Sequence, residues 1–164
     1  MAVTDVPTFK PTAFYRDPLA ALKWLEAAFG FETTTLVTEP SGRVGYSEMS
    51  FLGGAVSINP EFASEIIGDA RMVSPLEIEG RGTQFIRVHL AEGLDEHCER
   101  ARAAGARITD EPSDQFYGER TYRAMDLEGH IWNFAQPAGP RTIAEMEEAS
   151  GLKLSTSLKA AGHG

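Results

Sequence analysis

The sequence runs twice through the same order of predicted elements, and this repeat constrains the fold more than any other feature. In each half a strand leads into a helix that ends at a glycine, and three further strands follow. The two helix-ending residues, Gly30 and Gly105, are 75 positions apart, and the helices before them have matching lengths. Because the halves share little identity, we interpret the repeat as structural rather than as a recent duplication.

The first half, residues 8–60, predicts a βαβββ module. Asp17 and Pro18 are typical of a helix start, since Asp is a favoured N-cap and Pro suits the first helical position. Apolar residues then recur at helical spacing up to Gly30, which is a natural C-cap. The strands are predicted at 9–15 before the helix, and at 31–39, 44–51 and 55–59 after it.

The second half, residues 83–137, predicts the same module again. Its helix covers 94–104, with His97 expected on the surface, and its strands are 83–90, 106–110, 116–125 and 130–136, with turns at 111–115 and 126–129. Residues 61–82 form an insert that we expect to be loop-like, with part of it as a short helix; long loops of this kind often serve as lids. A C-terminal helix capped by Thr142, followed by a tail, occupies 138–164.

Composition excludes several classes of protein. The net charge of −9 repels phosphate backbones, so we expect no nucleic-acid partner. No apolar run is long enough to cross a membrane or to serve as a signal peptide. The single cysteine, Cys98, cannot form an internal disulfide. These observations predict a cytoplasmic globular protein.

Four motifs, in this order and spacing, carry a family resemblance. They are the helix start at 15–25, the helix end at 28–32, the second helix and strand at 94–108, and the Asp-Leu-Glu-Gly-His-Ile-Trp-Asn-Phe run at 126–134. Together they resemble the vicinal oxygen chelate superfamily of glyoxalases, bleomycin-resistance proteins and extradiol dioxygenases, and are most similar to its bleomycin-resistance, drug-binding branch. The resemblance implies an α+β fold in which the sheets of the two modules curl into an open, cup-shaped barrel, as a single domain over 8–137.

The resemblance also implies four metal-ligand positions, and this sequence fills them poorly. They fall at Lys10, Glu48, Phe85 and Asn133, with Gln84 in place of Phe85 if the strand slips by one residue. A lysine ammonium has no lone pair to donate, and an asparagine oxygen is a weak neutral donor. Since a transition-metal site needs three or four His, Cys or carboxylate ligands, we expect no metal and no other cofactor.

Alternation along the predicted strands identifies the side chains that face the cup. Ile86 and Val88 should face the helices, which turns Phe85, Arg87 and His89 towards the cavity. We expect Glu48 to be paired with Lys10 or Arg87 there, because a buried carboxylate is costly without a partner. The candidate ligand-binding set is Lys10, Phe14, Tyr46, Glu48, Phe85, Arg87, His89, Tyr122 and Asn133, with no residue assigned as catalytic.

These features favour a metal-free binding protein for an aromatic or peptide-like small molecule, of the bleomycin-resistance type. The alternative is a glyoxalase-like, metal-dependent lyase or isomerase that uses Glu48 as a base. A third possibility is a protein that binds another protein and no small molecule. We expect a homodimer with the ligand site near the subunit boundary, and the sequence leaves open whether the cup forms within one chain or across two.

Overall fold

The computed structural model describes residues 7–63 and 71–162, and within these ranges it contains two modules of the same design. The first consists of β1 (Thr12–Tyr15), α1 (Pro18–Phe29), β2 (Glu32–Thr38), β3 (Val44–Phe51) and β4 (Gly54–Pro60). A small hairpin, β5 (Phe62–Ala63) and β6 (Arg71–Met72), and a 3-10 helix (Pro75–Ile78) follow. The second module consists of β7 (Phe85–His89), α2 (Leu94–Ala103), β8 (Arg107–Asp114), β9 (Glu119–Met125) and β10 (Ile131–Pro137), and α3 (Ile143–Ser150) follows it.

The two sheets have equivalent topologies. The strand orders are β1-β4-β3-β2 and β7-β10-β9-β8. In each sheet the first strand of the module pairs in parallel with the last, and the other pairs are antiparallel. The predicted α+β fold of two βαβββ modules is therefore confirmed, and the sheets are open, as a cup requires, with no ladder between them in the described part of the chain.

Both modules share one hydrophobic core, which lies between the sheets and the helices. Phe29 at the end of α1 meets Phe134 of the second sheet at a ring-centre distance of 4.8 Å, and Phe31 meets Trp132 at 5.4 Å. Trp132, Phe134 and Phe29 are fully buried. As predicted, Trp132 and Phe134 pack in the core, and they join the two modules there.

Two sequence-based placements are wrong, and both residues lie in this core. Tyr122, expected to line the cup, is fully buried and stacks on Phe134 with ring centres 5.0 Å apart. Its hydroxyl donates to Nδ1 of His97 (2.6 Å), whose Nε2 donates to the carbonyl of Phe29 (2.9 Å). His97 is thus a half-buried core residue and not a surface histidine. Alternation alone did not fix the phase of β9, and the structure turns Tyr122 towards the helices.

The two ends of α1 are held by side chains of the second module. Arg100 of α2 donates to the carbonyls of Glu26 and Ala27, both at 2.8 Å, at the helix end. At the helix start, Glu128 of the β9–β10 turn accepts the backbone N–H groups of Arg16 (2.8 Å) and Asp17 (3.0 Å). Carboxylates at a helix start and guanidinium groups at its end both complement the helix dipole.

Glu128 and its neighbour Asp126 are buried and fully engaged. In addition to the two N–H groups of the helix start, Glu128 accepts a hydrogen bond from the hydroxyl of Ser74 (2.6 Å), the residue just before the 3-10 helix. Asp126 accepts from the hydroxyl of Tyr15 (2.6 Å) and the indole N–H of Trp132 (3.0 Å). The turn at 126–129, one of the motifs of the resemblance, therefore ties the second module to β1, α1 and the insert.

Several boundaries differ from the prediction. Residues 111–114 belong to β8, and the turn lies at 115–118. β8 is an edge strand, and a proline such as Pro112 is tolerated there because its missing N–H costs no ladder hydrogen bond on the outer side of the sheet. The polar, proline-containing sequence of residues 111–114 was therefore wrongly interpreted as a turn. The insert contributes the β5–β6 hairpin and the 3-10 helix; residues 64–70 of the predicted loop lie outside the described residues. As predicted, Thr142 caps the terminal helix, with a capping box to Glu145.

No helix within the described ranges combines the length and apolar character needed to cross a membrane.

Candidate functional site

Each sheet has an open face, the side that turns away from the core, and on the first sheet this face carries a polar cluster. Glu48 on β3 accepts hydrogen bonds from the Lys10 ammonium and the Tyr46 hydroxyl. Lys10 Nζ lies 3.2 Å from the Tyr46 oxygen, and the Ser57 hydroxyl lies 3.4 Å from the same oxygen. Of the two partners expected for Glu48, the structure therefore shows Lys10 and not Arg87.

This pairing sets the chemistry of Glu48. The hydrogen bond from Lys10, followed by that from Tyr46, lowers the pKa of Glu48, and the Glu48 contact raises the pKa of Lys10. The pair is thus charged at neutral pH. A carboxylate whose pKa is lowered is a weaker base, and a general base works best with a pKa near the operating pH.

The open face of the second sheet carries its own cluster around Glu119. Arg87 on β7 donates to one oxygen of Glu119 on β9, and His89 Nε2 lies 3.3 Å from the other. The Arg87 guanidinium also lies 5.7 Å from the ring centre of Tyr117. Sequence reasoning missed Glu119 and left open whether Tyr117 lines the cup, because the strand phase of 116–125 was not fixed.

Asn133 lies deeper on the same open face. Its neighbours Trp132 and Phe134 face the core, and its register partners on the adjacent strands are Arg87 and Arg123. Its side chain is 1% exposed, and its Oδ1 has no hydrogen-bond partner in the described part of the chain. An unpaired buried oxygen is costly, so this atom offers an acceptor to a group that enters the face.

Two aromatic side chains complete the candidate set. Phe14 on β1 is half-buried and meets Phe62 of the insert at a ring-centre distance of 5.6 Å. Phe85 at the start of β7 is 53% exposed. The insert therefore touches the open face of the first sheet, which the sequence did not predict.

The nine candidate residues do not form one site. Lys10, Tyr46, Glu48 and Phe14 belong to the first open face. Phe85, Arg87, His89 and Asn133 belong to the second, and Tyr122 belongs to the core. The two polar clusters form separate ion pairs, Arg87 with Glu119 and Lys10 with Glu48, but Lys10, Phe85 and Arg87 border one shallow pocket where the segment before β1 meets β7.

The residues at the metal positions of the resemblance do not fit a metal ion. The Glu48 carboxylate is bound to an ammonium, and Asn133 offers one neutral oxygen between the positions of two arginines. Among the described residues, no group of three or more His, Cys, Asp or Glu side chains is arranged to hold a metal. The donors that these positions supply are therefore too few and too strongly engaged to coordinate a divalent ion.

Comparison with known proteins agrees with this fold. Residues 10–134 match the model of the Glyoxalase/Bleomycin resistance protein/Dioxygenase superfamily. The crystal structure of TioX from Micromonospora sp. ML1 is 30% identical, covers 80% of this chain and 99% of its own, and superposes with a TM-score of 0.56. An uncharacterized protein of Mycobacterium tuberculosis (strain H37Rv) is 25% identical over 150 residues, which are 91% of this chain and 85% of that protein.

A more distant likeness is to a metal-containing structure. The fosfomycin resistance protein FosX from Listeria monocytogenes, in complex with Mn(II) and sulfate, is 17% identical, covers 87% of this chain and 96% of its own, and has a TM-score of 0.57. At this identity the likeness shows the fold alone. From its fold and from the family match over most of its length, the chain belongs to the glyoxalase/bleomycin resistance protein/dioxygenase superfamily.

Proposed function

We propose that this protein binds an aromatic or peptide-like small molecule on its open faces, without a metal, in the manner of the bleomycin-resistance branch. The observation that carries the proposal is the Lys10–Glu48 pair. It places an ammonium at one of the family's ligand positions and engages the carboxylate at another. What remains is a surface suited to binding rather than to metal-assisted chemistry.

The contacts on the open faces favour a neutral or anionic aromatic ligand. Their cations are paired: Lys10 with Glu48, Arg87 with Glu119, and Arg123 with Asp110 at 3.0 Å. Tyr46, Tyr117, Phe14 and Phe85 provide rings for stacking. An N–H or O–H of the ligand would satisfy Asn133 Oδ1, and an anionic group would compete with Glu119 for Arg87.

We further propose that the functional unit is a homodimer. The Lys10 and Arg87 clusters of one chain form separate ion pairs, and the pocket that both border is shallow, so one chain alone buries little of a ligand. A second copy would bring the face of one subunit opposite a face of the other, so that the ligand lies at the boundary between subunits.

A glyoxalase-like lyase or isomerase is less well supported. It needs Glu48 as a base, and the Lys10 contact lowers the pKa of that group. A cytoplasmic location is also our proposal, and the thiol of Cys98 fits a reducing compartment: it is buried, and burial raises its pKa to about 11, which makes it unreactive.

The test is binding of aromatic compounds of similar shape but different charge, measured by thermal shift and calorimetry. We expect neutral and anionic compounds to stabilise the protein more than cationic ones. Arg87→Ala should weaken anion binding at least tenfold, and the matched control Arg81→Ala, an arginine 75% exposed beside Glu79, should not. Equal effects of the two substitutions, or the strongest stabilisation by cationic compounds, would contradict the proposal.

Native mass spectrometry of the purified protein tests the metal and the dimer together. The expected species is a dimer whose mass includes no transition metal. One manganese, nickel, zinc or iron ion per subunit, retained after dialysis and required for turnover of an aldehyde or epoxide substrate, would favour the enzyme instead. A monomer at micromolar concentration would contradict the dimer.

A further inference from the structure

A cavity of about 350 Å³ opens between the two modules, on the core side of both sheets. We call it the inter-module cleft. Its floor and walls are mainly apolar, and the side chains that define it are Phe31, Met49, Phe51, Ile86, Val88 and Trp132. Its volume lies within the range of known small-molecule sites.

The cleft is separate from the open faces described above. Met49 is the strand neighbour of Glu48, and successive residues of a strand point to opposite sides of the sheet. Ile86 and Val88 likewise flank Arg87 on β7. The side chains of Met49, Ile86 and Val88 therefore point away from the Lys10 and Arg87 clusters.

Aromatic rings form much of the cleft. Phe31 lies 5.2 Å from Phe51 and 5.4 Å from Trp132, measured between ring centres. Trp132 and Met49 are fully buried, whereas Phe51, Ile86 and Val88 are only half-buried because the cavity exposes them. An apolar cavity of roughly 150 Å³ holds a benzene molecule, so this one has room for a ligand of two rings.

The cleft offers little to a charged ligand. Arg87 and His89 are the ionisable residues that border it in the described part of the chain, and the side chains of both contact Glu119 on the open face. A charge inside the cleft would lose its hydration without gaining a partner. Polar contact comes instead from β7, which pairs only with β10 among the described strands and so has a free backbone edge.

We propose that the inter-module cleft is a second ligand site, which takes a neutral aromatic molecule of one or two rings carrying at most one hydrogen-bonding group. The aromatic walls provide stacking and apolar burial. The free edge of β7 provides a backbone donor or acceptor. This site does not depend on the proposed function of the open faces.

The test uses the protein labelled at its methionine methyl groups, with 2-naphthol as the probe. Met49 lies in the cleft, whereas Met125 is on β9 next to the buried Ala124 and so faces the open side of the second sheet. Ring currents should shift the Met49 methyl signal saturably, and any shift of Met125 reports separate binding to the open face of the second sheet, with its own saturation curve. The anion 2-naphthoate and the cation 2-naphthylmethylammonium should bind at least tenfold more weakly at Met49.

A substitution that fills the cleft provides the second readout. Val88→Phe should weaken 2-naphthol binding at least tenfold, and Val37→Phe, at an exposed position on β2, is the matched control and should change it less than twofold. If Val88→Phe fails to fold by circular dichroism, Ile86→Phe replaces it. The proposal is overturned by the absence of a saturable Met49 shift, by a shift at Met125 instead, or by unchanged affinity in a folded filled variant.

Discussion

Replacement of Glu128 by glutamine tests the claim that the second module holds the start of α1. The carboxylate is 5% exposed and accepts three hydrogen bonds: from the backbone of Arg16 (2.8 Å) and Asp17 (3.0 Å) and from the Ser74 hydroxyl (2.6 Å). Glutamine has the same shape, but it has one acceptor oxygen and carries no charge.

The expected loss follows from these three contacts. In its best orientation the glutamine oxygen takes the place of Oε2 of Glu128 and keeps the hydrogen bonds from the Arg16 N–H and the Ser74 O–H. Its NH₂ group then takes the place of Oε1 and faces the N–H of Asp17, which loses its acceptor. One buried donor left unsatisfied costs about 1–3 kcal/mol, and two charge-assisted bonds become neutral ones at a further loss of about 1 kcal/mol. Loss of the negative charge at the helix start adds about 0.5 kcal/mol.

The free energy of unfolding should therefore fall by about 3 kcal/mol, which for a chain of this length lowers the melting temperature by roughly 6–12 °C. Urea denaturation and calorimetry measure both quantities. The control is Glu148→Gln on α3, an exposed glutamate with no described hydrogen bond, for which we expect a change within about 0.5 kcal/mol. A folded Glu128→Gln protein as stable as this control would refute the assigned role.

Three further predictions concern other contacts. Burial lowers the pKa of His97, so as the pH falls the unfolded state takes up a proton on this residue before the folded state does. The contribution of His97 to the free energy of unfolding should therefore be constant above about pH 6.5 and fall as the pH drops below it. His97→Gln should reduce this fall, measured by urea titrations at pH 7.5 and 5.5. Gly30→Ala should cost at least about 1 kcal/mol in urea denaturation, because φ is +74° and the added Cβ would lie 2.7 Å from Arg100 Nη1; Gly42→Ala, with φ +85° and open space, should cost less. Lys10→Met should raise the pKa of Glu48, followed by NMR titration of its carboxyl carbon, and no rise would show that the ion pair does not form in solution.

The fold was largely predictable from sequence because its signals are local. Asp17 and Gly30 bound α1 as expected, and Asp17 accepts the N–H of Ala20 as an N-cap should. The repeat of the pattern then determined the module order. Periodicity also placed Trp132 and Phe134 in the core, since both alternate with Asn133 on a strand of otherwise apolar character.

The candidate site was less predictable because it depends on strand phase and on partners distant in sequence. Arg87 and His89 were assigned to the open face correctly, but the partner of both, Glu119, lies on a strand whose mixed sequence gives no clear alternation. Tyr122 on the same strand was misplaced for the same reason. The inter-module cleft has no sequence signal, because its walls come from both modules and read as ordinary core residues.

The two ends of α1 also determine when the first module can finish folding during synthesis. Arg100 and Glu128, which satisfy the helix's last carbonyls and first N–H groups, are translated long after the helix itself. Until then α1 has unsatisfied backbone groups, and Phe29 has no Phe134 to pack against. The N-terminal half should therefore wait on the ribosome as an incomplete, aggregation-prone intermediate, and the last strands of the second module should complete both modules in one cooperative step.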